Sequence, residues 1–206
     1  MGDARIGMAN IRLATIGDGA ALAAIYAPYC EGSAVSFEQV APAPHEMAQR
    51  IAAVTLQRPW IVLEDHGTVI GYAYATAHND RWAYRWSVNT AIYVSQTHHR
   101  RGAGRALYTT LFELLRLLGY YTAVAGITLP NAASVGMHET MGFELVGVYR
   151  DIGYKLGAWR HVAWYQASLQ PLPAEPQEPR EIAALSGSAE WRAAISCGLS
   201  RYVKRT

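Results

Sequence analysis

His98-His99-Arg100-Arg101-Gly102-Ala103-Gly104-Arg105-Ala106-Leu107 is the stretch whose reading decides the fold of this chain. It follows an apolar run, Ala91 to Ser95, that reads as a strand, and it opens a helix. In that helix Ala106, Leu107, Leu111, Leu114, Leu115 and Leu118 fall on one face, and Gly119 stops it. The glycines at 102 and 104 let backbone N–H groups come close to a ligand, because no Cβ stands in the way. The helix N-terminus adds partial positive charge and the arginines add full charges, which together make a cradle for a pyrophosphate. No Gly-Lys-Ser/Thr follows, so this is not a P-loop, and the third glycine of the dinucleotide fingerprint is missing. Taken alone, the loop also fits an ordinary solvated helix cap with surface arginines.

The next segment narrows the choice. Thr122 to Ile127 reads as a buried strand, and Asn131-Ala132-Ala133-Ser134-Val135-Gly136-Met137-His138-Glu139-Thr140-Met141-Gly142-Phe143 follows it. Asn131 opens a helix that ends near Met141, with Gly142 in the C-cap place. Asn131, Ser134 or Val135, and His138 share one helical face by spacings of three and four. A strand, a phosphate loop with its helix, a strand and an Asn-led helix thus form one ordered constellation.

Upstream, Ile11 to Thr15 alternates as a strand, and Asp18 caps a helix carrying Leu22, Ile25, Tyr26 and Tyr29. Val35 to Gln39 reads as a short extended segment, and Pro44 starts a helix running to about Leu56. Pro59 to Glu64 and Val69 to Ala77 are strands joined by a His66-Gly67 turn into a hairpin. Phe143 to Arg150 and Trp159 to Leu169 supply two final strands. Strands alternate with helices around a central hairpin, which predicts an α/β (α+β) domain with a mixed central sheet flanked by helices.

Past Leu169 the composition shifts. Pro171, Pro173, Pro176 and Pro179 with Glu and Gln make a linker-like stretch. Trp191, Ile195, Leu199, Tyr202 and Val203 recur at roughly helical spacing, weakened by Gly198 and the serines. The expected division is a folded domain over 1–170 and a Pro-rich linker with a C-terminal extension over 171–206.

The whole chain has 206 residues, 51% hydrophobic and 17% charged, which suits one globular domain and excludes a chain disordered throughout. Its net charge of 18 − 16 = +2 is too small for a nucleic-acid footprint, so no nucleic-acid partner is expected. Cys30 and Cys197 form no disulfide framework and no metal-ligand spacing, so no metal is expected and a reducing, cytoplasmic setting is. Met1 to Ile6 lacks the apolar core of a secretory leader, and the uncharged run from Leu117 to Met137 is broken by Gly119, Gly126, Pro130 and Asn131. The expectation is a protein with neither leader nor membrane span.

In this order the segments resemble the GNAT acyl-CoA-dependent N-acetyltransferases, and more narrowly the phosphinothricin and methionine sulfoximine acetyltransferase group. The resemblance is carried by Tyr84 to Ser95, by the loop at 98–107 with Tyr108, by Ala125 to Asn131, by Met137-His138-Glu139, and by Gly153 to Val162. It runs from about Ile11 to Leu169. It implies the GNAT fold, acetyl-CoA as co-substrate, and acetyl transfer to the amine of a small amino-acid analogue of the phosphinothricin or methionine sulfoximine/sulfone type. With no cysteine in a motif to carry the acetyl group, the amine would attack directly in a ternary complex.

Carried over position by position, the resemblance gives the backbone of Ile92, Tyr93 and Val94 to the pantetheine arm and to the thioester carbonyl. The amides of Arg100, Arg101, Gly102, Ala103, Gly104 and Arg105 take the pyrophosphate, with His99 where the family has Gln or Arg. Asn131 matches the residue that bonds the pantetheine arm, and Ser134 stands with it as a cofactor contact. His138 occupies the place of a tyrosine that protonates or orients the departing thiolate, a task suited to an imidazole with pKa near ~6.5. Its plainer reading is a half-buried helix histidine with a satisfied hydrogen bond.

Asn89 departs from the group, whose members carry a glutamate there as the base for the substrate ammonium. Asparagine cannot accept a proton, though it can hydrogen-bond an amine or a water. A free α-amine with pKa about 7.7–8.0 is partly neutral without help, and a water relay to another group could supply the rest. The departure leaves open a different amine acceptor, or a CoA-binding protein without catalysis. Phe37, Arg81, Tyr84 and Arg85 are the expected acceptor contacts, the arginines as bidentate forks for anionic groups. Trp159 and His161 fall in a hairpin that the resemblance associates with a homodimer.

Overall fold

A computed structural model describes residues 9–202. The N-terminal stretch Met1 to Ile6 and Val203, read above from sequence, lie outside the described residues. The chain runs β1 (Asn10–Leu13), α1 (Gly19–Glu31), α2 (Pro44–Thr55), β2 (Trp60–Asp65), β3 (Thr68–Ala77), β4 (Ser87–Val94), α3 (Ala103–Leu118), β5 (Thr122–Leu129), α4 (Ala132–Thr140), β6 (Glu144–Lys155) and β7 (Ala158–Ser168). A short helix α5 (Ile182–Leu185) and a longer α6 (Ala189–Leu199) follow. The seven strands form one sheet in the order β1-β2-β3-β4-β5-β7-β6. Every neighbour pair is antiparallel except β4 and β5, so the sheet is mixed, as the alternation predicted.

Two apolar cores sandwich the sheet. On one face lies α3, whose Ala106, Leu107, Leu111, Leu114, Leu115 and Leu118 are all fully buried against Ile61, Leu63, Ala73, Val88, Ala123 and Ala125. Each such leucine contributes about 1.5–3 kcal/mol by leaving water, which makes α3 the central pillar of the fold. Gly119, with φ 89°, ends the helix in the left-handed conformation that the sequence called for. On the other face α1 and α2 cover Trp60, Val62 and Tyr72 with Leu22, Ile25, Tyr26, Met47 and Ile51.

Four expectations change. Asp18 does not cap α1 with its side chain. Its carboxylate instead takes Arg12 through both oxygens at 2.7 and 2.8 Å and accepts from Thr15 N at 2.7 Å. Val35 to Gln39 is a loop with no strand partner, pinned by Lys155 rather than by a ladder. β4 begins at Ser87, four residues before the apolar run that signalled it, because β3 pairs along its whole length. β6 runs five residues past Arg150, with an irregular register between Tyr149 and Gly153.

Beyond Leu169 the chain crosses the foot of α3. Trp86 Nε1 donates to Gln177 O at 2.7 Å, and Arg180 N donates to Leu118 O at 2.8 Å. Helix α6, capped by Ser188, then packs along α3 and places Trp191, Ala194 and Tyr202 in the same core. Gly198 weakens the sequence signal for α6, but it is the point of closest approach. A Cβ there would overlap Thr110 Oγ1 and Ala106 O.

Candidate active site

The parallel pair at the centre of the sheet is only three residues long. Ser87, Val88 and Asn89 pair with Thr122, Ala123 and Val124, and the ladder then stops. Beyond Asn89, β4 continues to Val94 along β3, while β5 continues to Leu129 along β7. The two strands therefore open a fork whose base is Asn89, with Thr90 Oγ1 donating to Val124 O at 3.3 Å just inside it. Backbone groups of β4 that face the gap have no strand partner, and such groups need one from a ligand or from water. Ile92, Tyr93 and Val94 line this edge. The Tyr93 ring is not available to a ligand, because it is packed among Tyr26, Tyr29 and Tyr72 at 4.7–5.4 Å.

Directly above the fork stands the loop at 98–105. Arg100 has φ 60° and Gly102 φ 78°, so left-handed residues alternate and turn successive N–H groups to one side. A non-glycine residue held at φ 60° costs of order 1–2 kcal/mol, which the loop sustains at Arg100. His99 Nε2 lies 3.0 Å from Val94 O and 2.9 Å from Tyr29 Oη, tying the loop to the end of β4. Ala103 is buried, and Arg100 and Arg105 are exposed at the mouth. Gly104 faces the space between Ile92 and Met137, where a Cβ would meet each at an ordinary 3.6 Å and any longer side chain would fill the gap.

Asn131 caps α4 by accepting from Ser134 N at 3.1 Å, and its amide N–H₂ makes no hydrogen bond among the described residues. His138 is buried between α4 and α3. Its Nδ1 lies 2.8 Å from Ser134 O, a pure acceptor, so Nδ1 carries the hydrogen. Its Nε2 then accepts from Tyr108 Oη at 3.0 Å. Burial pushes the imidazole pKa below its ordinary value, the Ser134 carbonyl partly offsetting it. The resting ring is neutral and has no free N–H at Nε2 to give a thiolate, which qualifies the role the sequence assigned.

The opposite face of the fork is different. Asn89 Nδ2 donates to Ala77 O at 3.2 Å, and Asn89 Oδ1 lies 2.9 Å from His78 Nδ1. His78 was missed in the sequence, where nothing marks it. It meets Asn89 only because β3 pairs β4 in the register Thr76↔Asn89. On the same face Tyr26, Met47, Trp60, Tyr72, Tyr74 and Thr76 line a cavity of about 300 Å³ with Arg50 at its edge. Phe37 is exposed and lies against Gly153, and Tyr84 packs its ring 5.6 Å from His78. Arg81 is exposed.

Arg85 is engaged by the segment after β7: its guanidinium is ion-paired with Glu178 and stacks 3.7 Å over the Trp82 ring.

A family model for the acetyltransferase (GNAT) domain matches residues 11–164. The chain belongs to the GNAT acetyltransferase family. It is 39% identical over 173 residues, 84% of this chain and 94% of the relative, to a phosphinothricin N-acetyltransferase of Streptomyces viridochromogenes. It is 31% identical over 161 residues, 78% and 94% of the two chains, to an L-methionine sulfoximine/L-methionine sulfone acetyltransferase of Salmonella typhimurium. A solved GNAT phosphinothricin acetyltransferase from Sinorhizobium meliloti, in complex with acetyl-CoA, superimposes with a TM-score of 0.77 at 31% identity, covering 89% of this chain and 96% of that one. As a GNAT member the protein is an acyltransferase, and its family uses acetyl-CoA as co-substrate.

The residues present fit that co-substrate. The fork leaves backbone groups unpaired, Gly104 puts no side chain between Ile92 and Met137, and the first turn of α3 offers its amides beside Arg100 and Arg105. Among the described residues no helix is long and apolar enough to cross a membrane.

Proposed function

We propose that this protein transfers the acetyl group of acetyl-CoA to the amino group of a small amino-acid analogue of the phosphinothricin or methionine sulfoximine/sulfone type, by direct attack in a ternary complex. The observation that carries the proposal is the fork closed at Asn89, with the anion cradle on its α3 side and an open cavity on its α1–α2 side. Acetyl-CoA supplies the activated acyl group. The amides of Arg100 to Arg105 hold its pyrophosphate, and Asn131 and Ser134 flank its arm. Backbone N–H groups of Ile92 to Val94 hold the arm and polarise the thioester carbonyl. One such donor, placed where the oxyanion forms, is worth about 10²–10³ in rate. Asn89 orients the amine at the fork. His138 acts through its bond to Tyr108, setting that wall of the channel on the thiolate side. Arg81 is the cation for the acceptor carboxylate, with Phe37 and Tyr84 as its apolar neighbours.

A second reading keeps the reaction and changes the acceptor to an amino acid with a larger apolar side chain. The cavity favours it, because its walls are mostly aromatic and Arg85 is ion-paired with Glu178.

The assembly we propose is a homodimer through the β6–β7 arm, which exposes Tyr149, Ile152 and Tyr154 on the edge strand β6, Leu156 in the turn and Trp159 at the start of β7. The compartment we propose is the cytoplasm, where free Cys30 and Cys197 stay reduced. Thiol release from acetyl-CoA against phosphinothricin, methionine sulfoximine, methionine sulfone, the common amino acids and polyamines tests the reaction. Release with the first three supports the main reading. Release with large apolar amino acids alone moves the acceptor to the second. Saturable acetyl-CoA binding without release from any amine overturns both.

A further inference from the structure

We infer that His78 is the general base of this enzyme and that Asn89 orients it. The inference rests on the acetyl-transfer reading above. Its chain of proton assignments is fixed by acceptors that cannot donate. The carbonyl of Ala77 can only accept, so the Asn89 amide turns its nitrogen toward it at 3.2 Å. That leaves Asn89 Oδ1 facing His78 Nδ1 at 2.9 Å. An amide oxygen also only accepts, so Nδ1 carries the hydrogen of the neutral ring. The lone pair then lies on Nε2, which has no hydrogen-bond partner among the described residues. A half-buried imidazole held in one tautomer by a neighbouring side chain, with its other nitrogen free, is the arrangement of an oriented base.

Its place fits the work. Asn89 is the last paired residue before the fork, so an amine approaching a thioester held in the fork arrives beside Asn89. His78 is joined to that residue and follows the end of β3 on the same side. Asparagine at 89 cannot take a proton; with His78 behind it, the pair can. The base reaches the ammonium directly or through one water.

The balance is simple. His78 Nε2 takes one proton from the acceptor ammonium and later passes it to solvent. The freed lone pair forms the C–N bond to the acetyl carbon as the C–S bond breaks. The second amine proton ends on the departing CoA sulfur, giving amide, CoA thiol and one released proton.

The test compares wild type with His78→Gln, His78→Phe and the double variant His78→Gln/Asn89→Glu, on the best acceptor of the panel. Removing a general base costs typically about 10²–10⁴ in rate. Both single variants should lose at least about a hundredfold in kcat. Acceptor KM, and acetyl-CoA affinity by calorimetry, should stay within a few-fold of wild type. The glutamate should restore at least about tenfold of the lost kcat, because it puts a proton acceptor at the fork base; a packing role for His78 would not be repaired that way. Either single variant turning over like wild type overturns the assignment, as does a lost rate that the glutamate leaves unrepaired. A wild type that binds acetyl-CoA and acetylates no amine overturns the transfer reading and this inference with it, whereas an active wild type with active His78 variants overturns this inference alone.

Discussion

Tyr108 and His138 meet through one hydrogen bond, 3.0 Å from the phenol oxygen to Nε2, inside the wall where α4 leans on α3. Both side chains are buried, and their rings meet edge to face with centroids 5.3 Å apart. The α3–α4 wall of the fork is therefore a packed polar contact. His138 has both ring nitrogens bonded, whereas His78 keeps one nitrogen without a partner among the described residues.

That contact makes stability depend on pH in a definite direction. Burial holds the His138 pKa below its ordinary value, so the native state resists protonation. As pH falls below about 6.5, the unfolded chain takes up the proton first, and stability drops until the lower native pKa is reached. Urea unfolding at pH 7.5 and 5.5 should show this loss in wild type. His138→Gln should show a smaller loss between the same two pH values, whatever its stability at pH 7.5.

Tyr108→Phe leaves His138 Nε2 buried without a donor. An unsatisfied buried acceptor costs about 1–3 kcal/mol, read as a lower urea midpoint at unchanged slope. Acetyl-CoA binding should weaken only modestly, since the hydroxyl is turned toward the imidazole and not into the channel.

What the sequence revealed and what it hid follow from how far apart the partners lie. The face of α3, the Gly119 stop and the Asn131 cap were legible because each is set by residues within a few positions. Ser87 to Thr90 carries little apolar alternation, so the start of β4 was not. The pairing of His78 with Asn89 needed a strand register. The pairing of Arg85 with Glu178 needed a contact across 93 residues. Gly198 read as a helix breaker because its cost to α6 is local while its use, close approach to α3, is tertiary.

Gly104→Val should separate binding from folding. The Cβ itself meets only ordinary contacts at 3.6 Å from Ile92 and Met137, so the helix keeps its place. The added methyls enter the channel between those two residues. Acetyl-CoA affinity by calorimetry should fall at least tenfold, about 1.4 kcal/mol, with thermal stability little changed. Unchanged affinity would remove Gly104 from the cofactor channel.

Gly198→Ala should do the reverse. The new methyl overlaps Thr110 Oγ1 and Ala106 O in a crossing that has no slack. Overpacking of this kind costs typically about 1–3 kcal/mol, and the loss should appear in the urea midpoint. Thr110→Ala alone should be nearly neutral, because Thr110 Oγ1 has no hydrogen-bond partner to lose. A stable Gly198→Ala protein would mean that α6 does not pack on α3 in solution.

Lys155 links the far end of the β6–β7 arm to the acceptor side. Its ammonium is buried, and it donates to the carbonyls of Cys30, Ser36 and Glu38, the last at 2.7 Å. One carbonyl from the last turn of α1 and two from the loop after it converge on one cation, and that loop carries Phe37, whose ring rests on Gly153 two residues before the lysine. Lys155→Met keeps most of the stem packing and removes the charge. Hydrogen bonds to a charged group are worth about 1.5–3 kcal/mol, so a midpoint loss in that range is expected. The loop then loses its tether, and Phe37 no longer holds its place over the acceptor side. The acceptor KM should rise several-fold, while acetyl-CoA affinity, set on the other face of the sheet, should not move. A variant whose acetyl-CoA affinity falls in step with its acceptor KM would show that the two faces of the fork are coupled through the arm, and that Lys155 does more than hold the loop.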